Sequence, residues 1–159
     1  MNLKTEKVLV VAPRIWKSDK NYNYSIEEIS LLINTLGLKV CGVIEQKLNS
    51  INPAYFVGSG KAKQIVEQAK LLKANYIVFD EDLSPAQTKN FQKLEEKMKF
   101  MDRSGVILEI FFKNAKSKES KTQVELARLQ YQLPRLTRMW THLERQMGGF
   151  GTRAGAGET

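Results

Sequence analysis

The chain has 159 residues, 42% hydrophobic and 26% charged, which suits one domain with a real core and excludes a wholly disordered chain. No apolar run approaches the roughly 18 residues of a transmembrane helix, and one cysteine (Cys41) with one histidine (His142) supplies neither an internal disulfide nor a Cys/His zinc cluster. The formal charge is +8, divided as +3 over residues 1–112 (16 basic, 13 acidic) and +5 over residues 113–159 (9 basic, 4 acidic); that concentration suits either a phosphate-rich partner or an ordinary solvated basic surface.

The start, Met1 to Lys7, is polar and lacks the apolar core of a signal peptide, so the cytoplasm is the expected compartment and no membrane insertion is expected. Val8–Val11 is a β-branched run that reads as a buried strand ended by Pro13. Ser25-Ile-Glu-Glu28 has the spacing of a capping box and opens a helix stopped by Gly37. Leu38–Ile44 is a second strand, and Asn52-Pro53 marks a turn. Tyr55–Val57 precedes Gly58-Ser59-Gly60-Lys61, after which a helix runs to about Lys73. Tyr76–Phe79 is a compact strand, and Ser84-Pro85-Ala86-Gln87 is a second capping box whose helix runs to about Met98. Alternating strands and helices with continuously apolar strands predict an α/β domain, a parallel sheet flanked by helices, over residues 1–103.

From Ser104 to Met147 the pattern becomes helical and predicts an arm. Val106–Phe112 has strand propensity, but its length and context favour helix. Leu126, Leu129, Leu133, Leu136, Trp140, Leu143 and Met147 then follow alternating steps of three and four, the seam of a helix packed on another helix. Pro134 predicts a kink or break near Leu133. On the other side, Arg128, Tyr131, Arg135, Arg138, His142 and Arg145 form a stripe with no acidic member. Arginine forks hold phosphate and stack on bases, so the stripe is a candidate RNA-binding surface; the competing reading is the wet face of a coiled-coil helix. Residues 148–159 are a glycine-rich loop in which Gly148, Gly149, Gly151, Gly155 and Gly157 permit close approach, while Phe150 and Arg153 suit a base and a phosphate.

Other chemistry is thin. Gly58, Gly60 and Lys61 resemble the end of a phosphate-binding loop, but Tyr55 stands where the first glycine is required and Ala62 where a hydroxyl must hold magnesium. A weaker anion site at a helix start remains, against an ordinary glycine turn. Asp80, Glu81, Asp82 and Asp102-Arg103 fall near the sheet edge that holds ligands in open α/β folds, although such carboxylates more often cap helices and pair with neighbours. No catalytic residues and no metal ligands are assigned.

Several stretches together resemble the N-terminal region of the HflX family of ribosome-associated GTPases: Phe56-Val-Gly-Ser-Gly-Lys61, Asp80-Glu-Asp-Leu-Ser-Pro-Ala-Gln87, Asp102-Arg103, Gln123-Val-Glu-Leu-Ala127, Tyr131-Gln-Leu-Pro-Arg-Leu136, Trp140-Thr-His-Leu143 and Gly148–Thr159. The resemblance covers residues 55–159; residues 1–54 fit the fold without a comparable motif. It implies an α/β domain, a helical hairpin arm and a Ras-like GTPase domain, in a protein that binds the large ribosomal subunit through its RNA and splits or rescues stalled ribosomes. The glycine-rich tip then reaches towards the peptidyl transferase centre. An ATP-dependent activity on RNA is the alternative that the resemblance carries for this region. Ala156 departs from the family's usual proline. GTP and Mg2+ belong to a GTPase domain that these residues do not include, so no GTP hydrolysis is expected of them. Without a partner for the seam, the arm helix is expected to fray, fold back or self-associate through Leu126–Met147.

Overall fold

The computed structural model describes residues 5–136. In chain order these form β1 (Lys7–Ile15), α1 (Tyr22–Thr35), β2 (Lys39–Leu48), α2 (Ser59–Leu71), β3 (Tyr76–Phe79), α3 (Pro85–Leu94), β4 (Lys99–Asp102), α4 (Arg103–Asn114) and α5 (Lys118–Gln132), with a closing 3-10 turn at Leu133–Arg135. The four strands are parallel, in the order β2-β1-β3-β4.

Strand alternation divides the core in two. Leu9, Val11, Ile77 and Phe79 meet Ile65, Ala69 and Phe91 of α2 and α3 on one face. Val8, Val10 and Val78 meet Ile29 and Ile33 of α1 and Val106 of α4 on the other. The α/β reading therefore holds, and α4 is a covering helix of the sheet. A short link joins α4 to α5.

The elements depart from the sequence reading in instructive places. α1 begins at Tyr22, not at Ser25: Asn21 caps it by accepting from the Tyr24 N–H at 3.1 Å. Gly37 stops it as expected, in a left-handed conformation at φ +84°. Pro13 lies inside β1, because the Val11 carbonyl accepts from the Asp80 N–H and Pro13, two residues on, faces the same side just past the end of β3. No ladder bond is asked of its missing N–H. The Ser84 capping box is present, with Gln87 N–H to Ser84 Oγ at 3.0 Å and Ser84 N–H to Gln87 Oε1 at 2.8 Å. Its helix ends at Leu94, because Gln92 Nε2 donates to the carbonyls of Glu95, Glu96 and Met98 and turns the chain into β4, a strand hidden by its short polar sequence. The expected break falls where proline put it: α5 stops at Gln132 and Pro134 sits in the 3-10 turn. No described helix is long and apolar enough to cross a membrane.

Candidate functional site

The two sides of α5 are the reverse of the expected arrangement along the described part of the arm. The leucine seam faces outward, with Leu126, Leu129 and Leu133 exposed at 55%, 37% and 59%. The polar stripe faces the α/β domain. Arg128 grips Glu109 of α4 through both carboxylate oxygens, at 2.8 and 3.3 Å, and lies over the Phe112 ring at 4.1 Å. Tyr131 donates its hydroxyl to the Asp102 carboxylate. Arg135 lies over the Tyr131 ring at 3.9 Å and donates to the carbonyls of Tyr131 (2.8 Å) and Leu83 (2.9 Å). Glu109 meets Arg128 while Gly105 meets Tyr131, so α4 and α5 run antiparallel.

A wet cationic face is thus corrected for these three residues. Their long side chains carry apolar stems over α4 and still satisfy their polar ends, which leucine cannot do beside a carboxylate. Arg138, His142, Arg145, Gly148, Gly149, Phe150, Gly151, Arg153, Gly155 and Gly157 lie outside the described residues, as do Trp140, Leu143 and Met147 of the seam.

The helix docks on a junction of buried carboxylates. Asp102, 1% exposed, ends β4 and caps α4 by accepting from the Gly105 N–H at 2.9 Å. Its second oxygen accepts from the Leu83 N–H at 2.8 Å, and Tyr131 completes the set. Burial, and then the adjoining Asp102 carboxylate, push the Tyr131 hydroxyl far above its usual range, so it stays protonated and serves only as a donor. Asp80, also 1% exposed, accepts from Ser25 Oγ at 2.6 Å and pairs with Arg103 at 2.5 Å. Burial raises its carboxyl above the ordinary range, while the Ser25 hydroxyl and then Lys20 pull it back. Asp82 receives both the N–H (3.2 Å) and hydroxyl (2.7 Å) of Ser104, and Lys20 reaches Glu81 at 2.6 Å and the Asp80 carbonyl at 3.1 Å.

This network has a chemical consequence. In a sheet ordered β2-β1-β3-β4 the chain changes direction between β1 and β3, and the crevice above that point is where open α/β sheets hold ligands. Here Lys20, Ser25, Asp80 and Arg103 occupy it themselves, so the edge acids cap and pair instead of awaiting a ligand.

Gly58 caps α2 without a side-chain hydrogen bond, and Lys61 lies in the first turn with no ion pair. Neither Gly58 nor Gly60 has a positive φ, and a Cβ on either would meet nothing within 4 Å. Ala62 is wholly buried in the core where a nucleotide loop needs a magnesium-binding hydroxyl. These residues do not fit GTP and Mg2+.

Sequence reasoning missed the role of Asp102, Gly105 and Tyr131 together. Its one available signal was Asp102 three residues ahead of Gly105, an N-cap spacing. A Cβ on Gly105 would lie 3.0 Å from the Tyr131 hydroxyl oxygen and 3.3 Å from Asp102 Oδ1. Gly105→Ala is therefore expected to push Tyr131 off Asp102 at a cost of about 1–2 kcal/mol. Urea unfolding, with amide exchange along α5 rising before that of β1, is the check.

Comparison with known proteins extends this picture. Residues 23–112 match the family described as GTP-binding GTPase N-terminal, and residues 114–159 match the GTP-binding GTPase Middle Region. The chain is 46% identical over 134 residues to GTPase HflX of Escherichia coli, covering 84% of this chain and 31% of that protein. It is 39% identical over 154 residues to GTPase HflX of Alkalihalophilus pseudofirmus, covering 97% and 36%. It thus spans about a third of the length of these relatives. Among solved structures, a GTP-binding protein from the archaeon Sulfolobus solfataricus in complex with GDP is similar at TM-score 0.63 and 25% identity, over 90% of this chain and 42% of that one.

Proposed function

Because this chain belongs to the HflX family, as its N-terminal region, we propose that it is the RNA-docking module of a GTP-binding protein that binds the large ribosomal subunit and splits or rescues stalled ribosomes. GTP and Mg2+ are then handled by the remainder of the parent protein, and this module supplies position. One observation carries the reading: residues 113–136 hold six basic and two acidic side chains, a charge of +4 in 24 residues. Lys113, Lys116, Lys118 and Lys121 are all exposed around the turn between α4 and α5. Only Lys113 is held by a hydrogen bond there, to the Thr35 carbonyl at 2.8 Å. Ammonium groups in this state release counterions on meeting phosphate.

The docked stripe supports the same reading differently. With Arg128, Tyr131 and Arg135 bound to the α/β domain, the base of the arm is a fixed extension of that domain, and Arg138, His142, Arg145, Phe150, Arg153 and the glycines of the tip are the residues proposed to face RNA. The alternative, an ATP-binding α/β domain acting on RNA, draws no comparable support, since the crevice it needs is filled by Lys20, Asp80 and Arg103.

Co-sedimentation with purified large subunits over a salt series tests the proposal. Replacing Lys113, Lys116, Lys118 and Lys121 by glutamine is expected to flatten the log–log salt dependence by about 3–4 units. Four exposed substitutions leave the fold intact, so binding equal to wild type at every salt concentration rejects the role of this turn. Absence of any binding by the wild-type chain rejects the proposal as a whole.

A further inference from the structure

β1 and β2 outrun the rest of the sheet. β3 accompanies β1 only as far as Val11, the partner of Phe79, while β2 follows it to Ile15, the partner of Leu48. Ala12–Ile15 and Glu45–Leu48 therefore extend past the sheet's C-terminal edge as a two-stranded ribbon, and Trp16 ends it with a side chain 68% exposed. We infer that Trp16 is a stacking platform for one unpaired base of RNA, a second contact made by the α/β domain itself. The inference rests on the reading of this chain as an RNA-docking module and adds the kind of RNA, a single-stranded or bulged segment.

The backbone holds the ring in place. The Trp16 N–H donates to the Leu48 carbonyl at 2.7 Å, the Ile15 N–H to the Tyr22 hydroxyl at 2.8 Å and the Ser18 N–H to the Ile15 carbonyl at 3.2 Å. Lys17 takes a left-handed conformation, φ +64°, which glycine would adopt without strain. Strain of this kind persists where surrounding bonds impose it, and here it turns the chain directly after an exposed aromatic. A lone exposed apolar side chain is ordinary on a protein surface. A tryptophan at the end of a pinned ribbon differs, because a flat ring that is already ordered loses little freedom when a base stacks on it.

The surroundings suit a nucleotide. Side chains alternate along a strand, so Trp16 shares a face with Arg14 and with Lys47, the register partner of Arg14. Arg14 is closed by Glu45 and Asn23, and Lys20 by Glu81. Lys17 and Lys47 are exposed and make no ion pair among the described residues, and neither does Asp19. The local balance is only slightly positive, so the ring carries the contact and the two lysines serve the flanking phosphates. A peptide needs a groove or a strand edge, whereas a single ring among polar neighbours offers a planar base its whole face. The arm reaches the same edge: Arg135 donates to the Leu83 carbonyl in the loop after β3, the strand beside β1. The residues proposed to face RNA thus follow in the chain from the edge that carries Trp16.

Fluorescence tests the stack directly. In a Trp140→Phe background Trp16 is the only indole, and octaadenylate is expected to quench its emission. Co-sedimentation with purified large subunits gives the second readout. Trp16→Ala is expected to weaken binding roughly tenfold at every salt concentration and to leave the log–log salt slope unchanged, because stacking releases no counterions. Trp16→Phe is expected to keep most of the affinity, and Trp16→Leu, apolar but without a ring, to lose it. The side chain is exposed, so these substitutions leave the fold intact. Absence of quenching overturns the inference, as does Trp16→Ala binding equal to wild type or with a flattened salt slope. Trp16→Leu binding as well as Trp16→Phe also overturns it, and assigns the ring to an apolar contact with protein. Each of these results leaves the lysine turn and its salt dependence standing, whereas failure of the wild-type chain to bind large subunits rejects both.

Discussion

Alanine at Asp102 is expected to cost about 3–5 kcal/mol of folding stability, well above the usual effect of a single polar substitution. The reason is the number of donors that one buried carboxylate satisfies. The Leu83 N–H, the Gly105 N–H and the Tyr131 hydroxyl converge on it from the β3–α3 loop, from α4 and from α5. Removing it leaves all three without that acceptor, two of them buried backbone N–H groups, and takes the N-cap from α4. Asparagine keeps one acceptor oxygen but presents an amide to a donor, so Asp102→Asn is expected to fall between. Tyr131→Phe, which removes a single bond, is expected to cost about 1–2 kcal/mol. Urea denaturation gives the three values. A loss under about 1 kcal/mol for Asp102→Ala would mean that the junction does not hold α5. Amide exchange adds a spatial check: α5 is expected to lose protection in all three variants while the β1 amides follow global stability.

The second large effect is expected at Arg103, and it depends on pH. Arg103 is the cation that faces the buried Asp80 carboxylate, and it also pairs with Glu28. Arg103→Met leaves Asp80 with Ser25 and the more distant Lys20, and breaking a buried pair in this way costs about 3–5 kcal/mol near neutral pH. Burial raises the Asp80 carboxyl above its unfolded value. That upward shift is already present in the native protein, and loss of the facing guanidinium raises the carboxyl further, so the folded variant holds its proton at pH values where the native protein has lost it. Stability gained in this way is present below the unfolded value and is lost as pH rises through the folded one. The gap between variant and wild type is accordingly expected to narrow as pH falls from 8 towards 4. Thermal or urea unfolding over that range measures it; a gap that is constant or widens in acid would sink the account of Asp80 as a buried charge neutralised by Arg103.

Both residues belong to stretches that the sequence had set apart, but for another reason. Asp80–Gln87, Asp102-Arg103 and Tyr131–Leu136 carried the family resemblance and suggested a ligand edge and an RNA-facing stripe. In three dimensions they meet one another: Arg103 on Asp80, Tyr131 on Asp102, Arg135 on the Leu83 carbonyl. Periodicity finds a helix and its two sides, but assigns inside and outside by polarity alone. Here a polar side docks because buried carboxylates and carbonyls need donors, and the apolar side stays open among the described residues.

Local chemistry was enough for the rest. Proline at position 134, the Ser84 box, Gly37 and the β-branched runs at Val8–Val11 and Tyr76–Phe79 act over a few residues, so the first three strands with their intervening helices, the break in the arm and the uneven charge were all legible in the chain itself. The fourth strand, the strand order β2-β1-β3-β4, the filled crevice and the direction in which α5 faces were not. Each depends on partners far apart in sequence, such as Asp102 with Tyr131 or Lys20 with Glu81, and a hydrogen bond between distant residues leaves no period along the chain.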